Sequence, residues 1–104
     1  MSGETRLEDR GEGRFALAGD LVFENAARVL EAGDAAFAGR PRVEVDLAGV
    51  GRVDSAGLAL LLEWAAAARS AGGSVSYRNL PSGVAALAGI SDVSELLGAT
   101  ASGG

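Results

Sequence analysis

Polar and apolar residues alternate along Arg14-Phe15-Ala16-Leu17, Val43-Glu44-Val45-Asp46-Leu47 and Ser74-Val75-Ser76-Tyr77. That two-residue period is the mark of strands with one covered face. Thr5-Arg6-Leu7-Glu8 carries a weaker version of it. Joined to Arg14–Leu17 through the turn-like Asp9-Arg10-Gly11-Glu12-Gly13, it predicts a hairpin. Gly19-Asp20 is expected to break the second strand. From Glu24 the period lengthens. Ala26, Val29, Leu30, Gly33 and Phe37 fall on one helical stripe, and Gly39-Arg40-Pro41 ends it because Pro cannot continue a helix. Ala48 to Val53 reads as a loop or strand end. A second helix is expected from Ser55 to about Ser70, stopped by Gly72-Gly73. Asn79-Leu80-Pro81-Ser82 reads as a turn and cap opening a third helix through Val84, Leu87 and Ala88. Ile90 and the short Val93 to Leu97 segment then close the fold.

Strand–helix–strand units of this kind imply parallel pairing with right-handed crossovers. Glu44 and Asp46 would make a poor floor for a second helical layer, so the helices are expected mainly on one face. The expectation is a single α/β domain with a small mixed sheet of four to five strands. It spans residues 5–97, between a flexible N-terminus (1–4) and a small-residue tail (98–104).

The helix after Ser55 has more apolar surface than one contact needs. At about 100 degrees per residue, Leu58, Leu61, Leu62, Ala65 and Ala68 form one stripe, and Leu60, Trp64 and Ala67 form a second beside it. Two readings stand. Trp64 packs on a neighbouring helix, or Leu60 and Trp64 form an exposed shoulder for a partner, since exposed apolar patches and Trp mark interfaces.

Composition narrows the chemistry. The 104 residues carry a net charge of -5, with nine basic residues, all of them Arg and scattered, so no cationic patch for nucleic acid is expected. Without His or Cys the usual general base, thiol nucleophile and thiolate metal ligands are absent, and no metal or cofactor is expected. No apolar run approaches a membrane span and the N-terminus lacks a signal-peptide pattern, so a cytoplasmic location is expected.

Ser55 stands where a strand gives way to a helix, close to free amides and the positive end of the helix dipole. It reads as an N-cap, a phosphate acceptor or a docking contact, and Asp54 as a cap or a solvated charge. As a nucleophile Ser55 lacks a base, and Gly-x-Ser-x-Gly is not matched. With no Lys and no Gly-rich cradle, nucleotide hydrolysis is not supported.

Val45-Asp46-Leu47-Ala48-Gly49-Val50 followed by Val53-Asp54-Ser55-Ala56-Gly57-Leu58 resembles the STAS domain. That domain is shared by anti-sigma-factor antagonists, sulfate transporter tails and lipid-transport subunits. Leu17 to Leu21 is similar to the family's earlier strand and turn, and the likeness runs from about Arg6 to Leu97. It implies that Ser55 aligns with the serine phosphorylated in the antagonists. In that branch the partner is an anti-sigma factor kinase. In the lipid branch, MlaB-like subunits bind the ATPase of a phospholipid ABC transporter that maintains outer-membrane lipid asymmetry.

Ala59 to Trp64, Arg52-Val53 and the Val93 to Leu97 ending resemble the lipid branch, whereas Ser at position 55 is the commoner antagonist choice. Val22 stands where many members have a capping Thr or Asp, a role open to Asp20. The resemblance implies a non-catalytic protein that docks through Arg52, Asp54, Ser55, Ala56, Gly57, Leu60 and Trp64. It implies association with the inner membrane only through the complex.

Overall fold

The computed structural model describes residues 5–81 and Val84. The element order is β1 (Arg6–Gly11), β2 (Arg14–Leu21), α1 (Phe23–Phe37), β3 (Arg42–Val53), α2 (Ser55–Ser70) and β4 (Ser74–Arg78). The strands form a four-stranded sheet in the order β1-β2-β3-β4. β1 and β2 make the expected antiparallel hairpin, while β2–β3 and β3–β4 are parallel, each pair joined through a helix. The alternation of the strands is what seats this sheet. Phe15, Leu17, Val43, Val45, Leu47, Val75 and Tyr77 are buried beneath the helices, and the intervening Ala16, Glu44, Asp46 and Ser76 are not. Both helices therefore lie on one face, and the fold is a small α/β sandwich of two layers.

Gly19-Asp20 does not break β2 as expected, since β2 reaches Leu21, and of the two readings for Ala48 to Val53 the structure has the strand end, β3 continuing to Val53. Between Ala16 and Ala18, and again between Gly19 and Leu21, β3 has one residue more than β2 opposite it. Bulges of this kind let a strand bend without ending. Asp46 supports the first of them by accepting from the amide of Ala48 at 2.9 Å. The result is that β2 and β3 end side by side, delivering the starts of α1 and α2 to one corner.

The seam of α2 is rotated from the expected one. Gly57, Leu60, Leu61, Trp64 and Ala65 are buried, Leu58 and Leu62 lie half-buried at its margin, and Ala67 is exposed. The exposed-shoulder reading is therefore corrected: Leu60 is 4% and Trp64 2% exposed. The reason is that α2 packs on α1 and on β2, β3 and β4 together, so a wider arc than one stripe is covered. Trp64 fits because α1 offers it a gap. A Cβ at Gly33 would run into the indole ring. Phe37 meets that ring edge-on at 5.0 Å between centroids, and Trp64 Nε1 donates to the Leu30 carbonyl at 3.4 Å. On the other side of α2, the Tyr77 hydroxyl donates to the Leu61 carbonyl at 2.8 Å. Burial pushes that phenol well above its ordinary pKa, so it stays a neutral donor. The expected third helix from Ser82, the Ile90 and Val93 to Leu97 closure and both flexible ends lie outside the described residues, apart from Val84, which is helical and buried.

Candidate docking site

Asp54 is the residue on which the corner is built. Its backbone is extended, with φ -103 and ψ -172, and its side chain caps α2 by accepting from the Gly57 amide. This corrects the reading of Ser55 as the cap: Ser55 is already the first helical residue, and a residue inside the helix cannot turn its oxygen onto the amides ahead. The two carboxylate oxygens of Asp54 divide their work. Oδ1 accepts from Gly57 N at 3.1 Å, and Oδ2 accepts from Phe23 N, the first amide of α1, at 3.1 Å. One carboxylate thus caps two helices. These amides, Gly57 first and Phe23 next, hold its pKa below the usual carboxylate range, helped by Ala56 N–H and Arg52 and opposed by desolvation.

The start of α1 explains why Asp54 is needed there. Val22 occupies the N-cap position and has no side-chain acceptor. Asn25 reaches back to accept from Val22 N at 3.1 Å, which satisfies one backbone group but leaves Phe23 N to Asp54. Asp20 does not take over the cap. Its Oδ1 accepts from Arg52 N at 2.9 Å across to β3, and its carbonyl takes bonds from Thr5 Oγ1 and Asn25 Nδ2. Gly57 has a steric duty beside its amide: a Cβ there would overlap the Leu21 carbonyl, so α2 starts hard against the end of β2.

The predicted docking residues divide accordingly. Arg52 and Ser55 are exposed, Asp54 and Ala56 are half-buried, and Gly57 is buried in the junction. Leu60 and Trp64 belong to the core and leave the site. Because Asp54 does the capping, the Ser55 hydroxyl has no hydrogen-bond partner among the described residues and is exposed at the first residue of α2. The sequence reading missed Phe23. It is the exposed large hydrophobic among the described residues, at 79%, and its amide is tied to Asp54. Nothing in the local pattern of α1 marked it, because its neighbour across the corner is 31 residues away. Among the described residues no group of His, Cys, Asp and Glu could hold a metal ion, and no helix is long and apolar enough to cross a membrane.

A family model described as "Mlab, STAS domain" matches residues 5–98. The chain belongs to this family of STAS domains. Two solved structures share its fold. The unphosphorylated anti-sigma factor antagonist SpoIIAA is 14% identical with a TM-score of 0.70, covering 89% of this chain and 84% of its own. An anti-sigma factor antagonist from Mycobacterium paratuberculosis is 20% identical with a TM-score of 0.66, covering 88% and 80%. A structure described as Mglu is 27% identical with a TM-score of 0.56 over 72% of this chain, but this chain spans 19% of that protein. No curated protein matches the chain.

Proposed function

We propose that this protein is a non-catalytic docking module that holds a nucleotide-binding partner protein at the Arg52–Gly57 corner. The observation carrying the reading is the division of labour at the start of α2: Asp54 supplies the cap, and the adjacent Ser55 hydroxyl is left presented to solvent on fixed backbone. A backbone already fixed in a capped helix loses little freedom when a partner binds it. The partner we favour is the ATPase subunit of a phospholipid ABC transporter, which this chain would bind and support at the inner membrane. The match to a family described as "Mlab, STAS domain" favours it. Copies of the chain purified with that ATPase should bind it, and Ser55→Arg should abolish binding without altering the circular dichroism. Unchanged binding by the Arg variant would remove the corner from the interface. Trp64→Glu, which would unfold the core, is no test of it.

A second reading, an anti-sigma factor antagonist switched at Ser55, is favoured by the chemistry of that exposed hydroxyl and by the antagonist structures with the same fold. A phosphate on Ser55 would gain from the positive end of the α2 dipole but stand against the ionised Asp54 carboxylate. Incubation with the partner kinase and ATP should add one phosphate, which Ser55→Ala would prevent. No incorporation would set this reading aside and leave the ATPase.

A further inference from the structure

We propose that the cleft between the C-terminal ends of α1 and α2 binds a small hydrophobic amine, with its apolar body against Phe37 and Trp64 and its ammonium group at Asp34. The cleft lies at the other end of α2 from the Arg52–Gly57 corner and does not depend on the partner bound there. Its volume is about 540 Å³, inside the range of small-molecule sites. Phe37 and Trp64 line it from the two helices, and the buried Val43 and Val75 line it from the sheet. Below the helices it is closed by Pro41 and Gly73, which lie so near that a Cβ on the glycine would overlap the Pro41 carbonyl.

The charge at the rim selects the ligand. Asp34 and Arg40 are the charged residues of the lining. Arg40 is already engaged: its Nε donates to the Ala36 carbonyl at 3.2 Å, Nη2 stands 3.8 Å from an Asp9 oxygen, and Cζ lies 5.5 Å from the centre of the Phe15 ring. Asp34 is exposed and has no hydrogen bond or ion pair among the described residues. The neighbouring charges do not change this balance. Arg42 alternates with the buried Val43 and so faces the open side of the sheet. Arg28 and Glu31, the next charges back along α1, have opposite signs, as do Glu63 and Arg69 on α2, and none of the four lines the cleft.

Both helices end here, at Phe37 and Ser70, which turns the negative ends of two dipoles toward the cleft. Asp34 stands in the last turn of α1, a turn without a basic residue. A carboxylate there is opposed by the helix dipole and lowers stability. Nothing in the described fold offsets this, and a residue that breaks a local rule without a compensating contact is the kind kept for function. An ammonium group at Asp34 supplies the missing positive charge, and the apolar cleft beside it takes the hydrophobic body.

Three probes of nearly equal shape separate charge from shape: cyclohexylmethylamine, the neutral cyclohexylmethanol and the anionic cyclohexanecarboxylate. Each is titrated into the full chain and followed by backbone amide NMR shifts. The amine should saturate in the millimolar range and move the amides of Ala38, Gly39 and Gly73. The alcohol should bind about fourfold more weakly, the difference expected of an exposed ion pair, and the carboxylate more weakly still. Asp34→Asn should bring the amine down to the affinity of the alcohol and leave the alcohol unchanged. Because the acid opposes the dipole, Asp34→Asn should also keep or raise the unfolding midpoint; a lower midpoint would make Asp34 part of the fold and overturn the proposal. Ala67→Leu, at an exposed lining position where Leu is a good helix former, narrows the cleft and should weaken the amine and the alcohol alike. No saturation up to about 10 mM, shifts clustered away from the cleft, an amine affinity untouched by either variant, or tighter binding of the carboxylate would each overturn it.

Discussion

Asp54 and Ser55 are neighbours with opposite structural weight. The Asp54 carboxylate satisfies an amide in each of two helices, whereas the Ser55 hydroxyl makes no hydrogen bond to the described residues. Asp54→Asn retains one good acceptor and Asp54→Ala retains none, so the urea midpoint should fall in the order wild type, Asn, Ala. Ser55→Ala should lie within about 0.5 kcal/mol of wild type, as for a surface change away from any cap; a larger loss would restore Ser55 as the cap. The Asp54 contribution also has a definite pH window. Its native pKa is lowered, so the folded chain binds that proton less readily than the unfolded one. The stabilisation is complete above about pH 4, the unfolded value, and is lost as pH falls through the native value. The acid-side drop in stability of wild type should therefore be steeper than that of Asp54→Ala. Equal slopes would contradict the double cap.

Elements meet here because small residues permit close approach. α1 and α2 interlock where Trp64 lies over Gly33, and a methyl group at that glycine has no room. Gly33→Ala should cost about 1–3 kcal/mol, the range for overpacking a full core, and should show as a lower urea midpoint with an unchanged slope. A neutral effect would mean that the two helices can separate freely. Gly33 was legible as a core position, since it falls on the apolar stripe of α1, but its partner was not. Helical periodicity tells which side of α2 is apolar to within about one residue step and cannot tell how many neighbours share that side. The pattern alone therefore leaves the stripe of Leu60 and Trp64 open to a neighbouring helix or to a partner, and the structure has the first. Three strands and α1 use it up.

At the scale of the whole molecule, Trp64 reports on every layer. It touches α1 through Phe37 and Leu30, and Phe37 in turn meets Phe15 of β2 edge-on at 5.0 Å. Its fluorescence should therefore be blue-shifted and poorly quenched by acrylamide in the native chain. Its red shift in urea should coincide with the loss of far-ultraviolet dichroism, as one cooperative unit requires. Emission already red in the absence of denaturant would return Trp64 to the surface. The open face of the sheet, with Glu44 and Asp46 on its central strand, is the complement of this arrangement. Arg78 pairs with Glu44 at 3.1 Å and Asn79 Nδ2 donates to Asp46 at 2.9 Å, so among the described residues these carboxylates are met by polar groups.

By itself the sequence determined the element types, the hairpin, the single covered sheet face and the family, because periodicity, glycine breaks and the Val53 to Leu58 motif are local and survive without knowledge of neighbours. Tertiary structure decided the rest. Bulges carried β2 and β3 past apparent breakers, since pairing with an adjacent strand outweighs the weak preferences of Gly and Asp. The choice of Asp54 over Ser55 as cap depended on an amide 31 residues away at Phe23. Which of two apolar stripes is spent in the core, and which residue remains to face a partner, follows from the number of elements packed around α2, and that number is a property of the assembled fold.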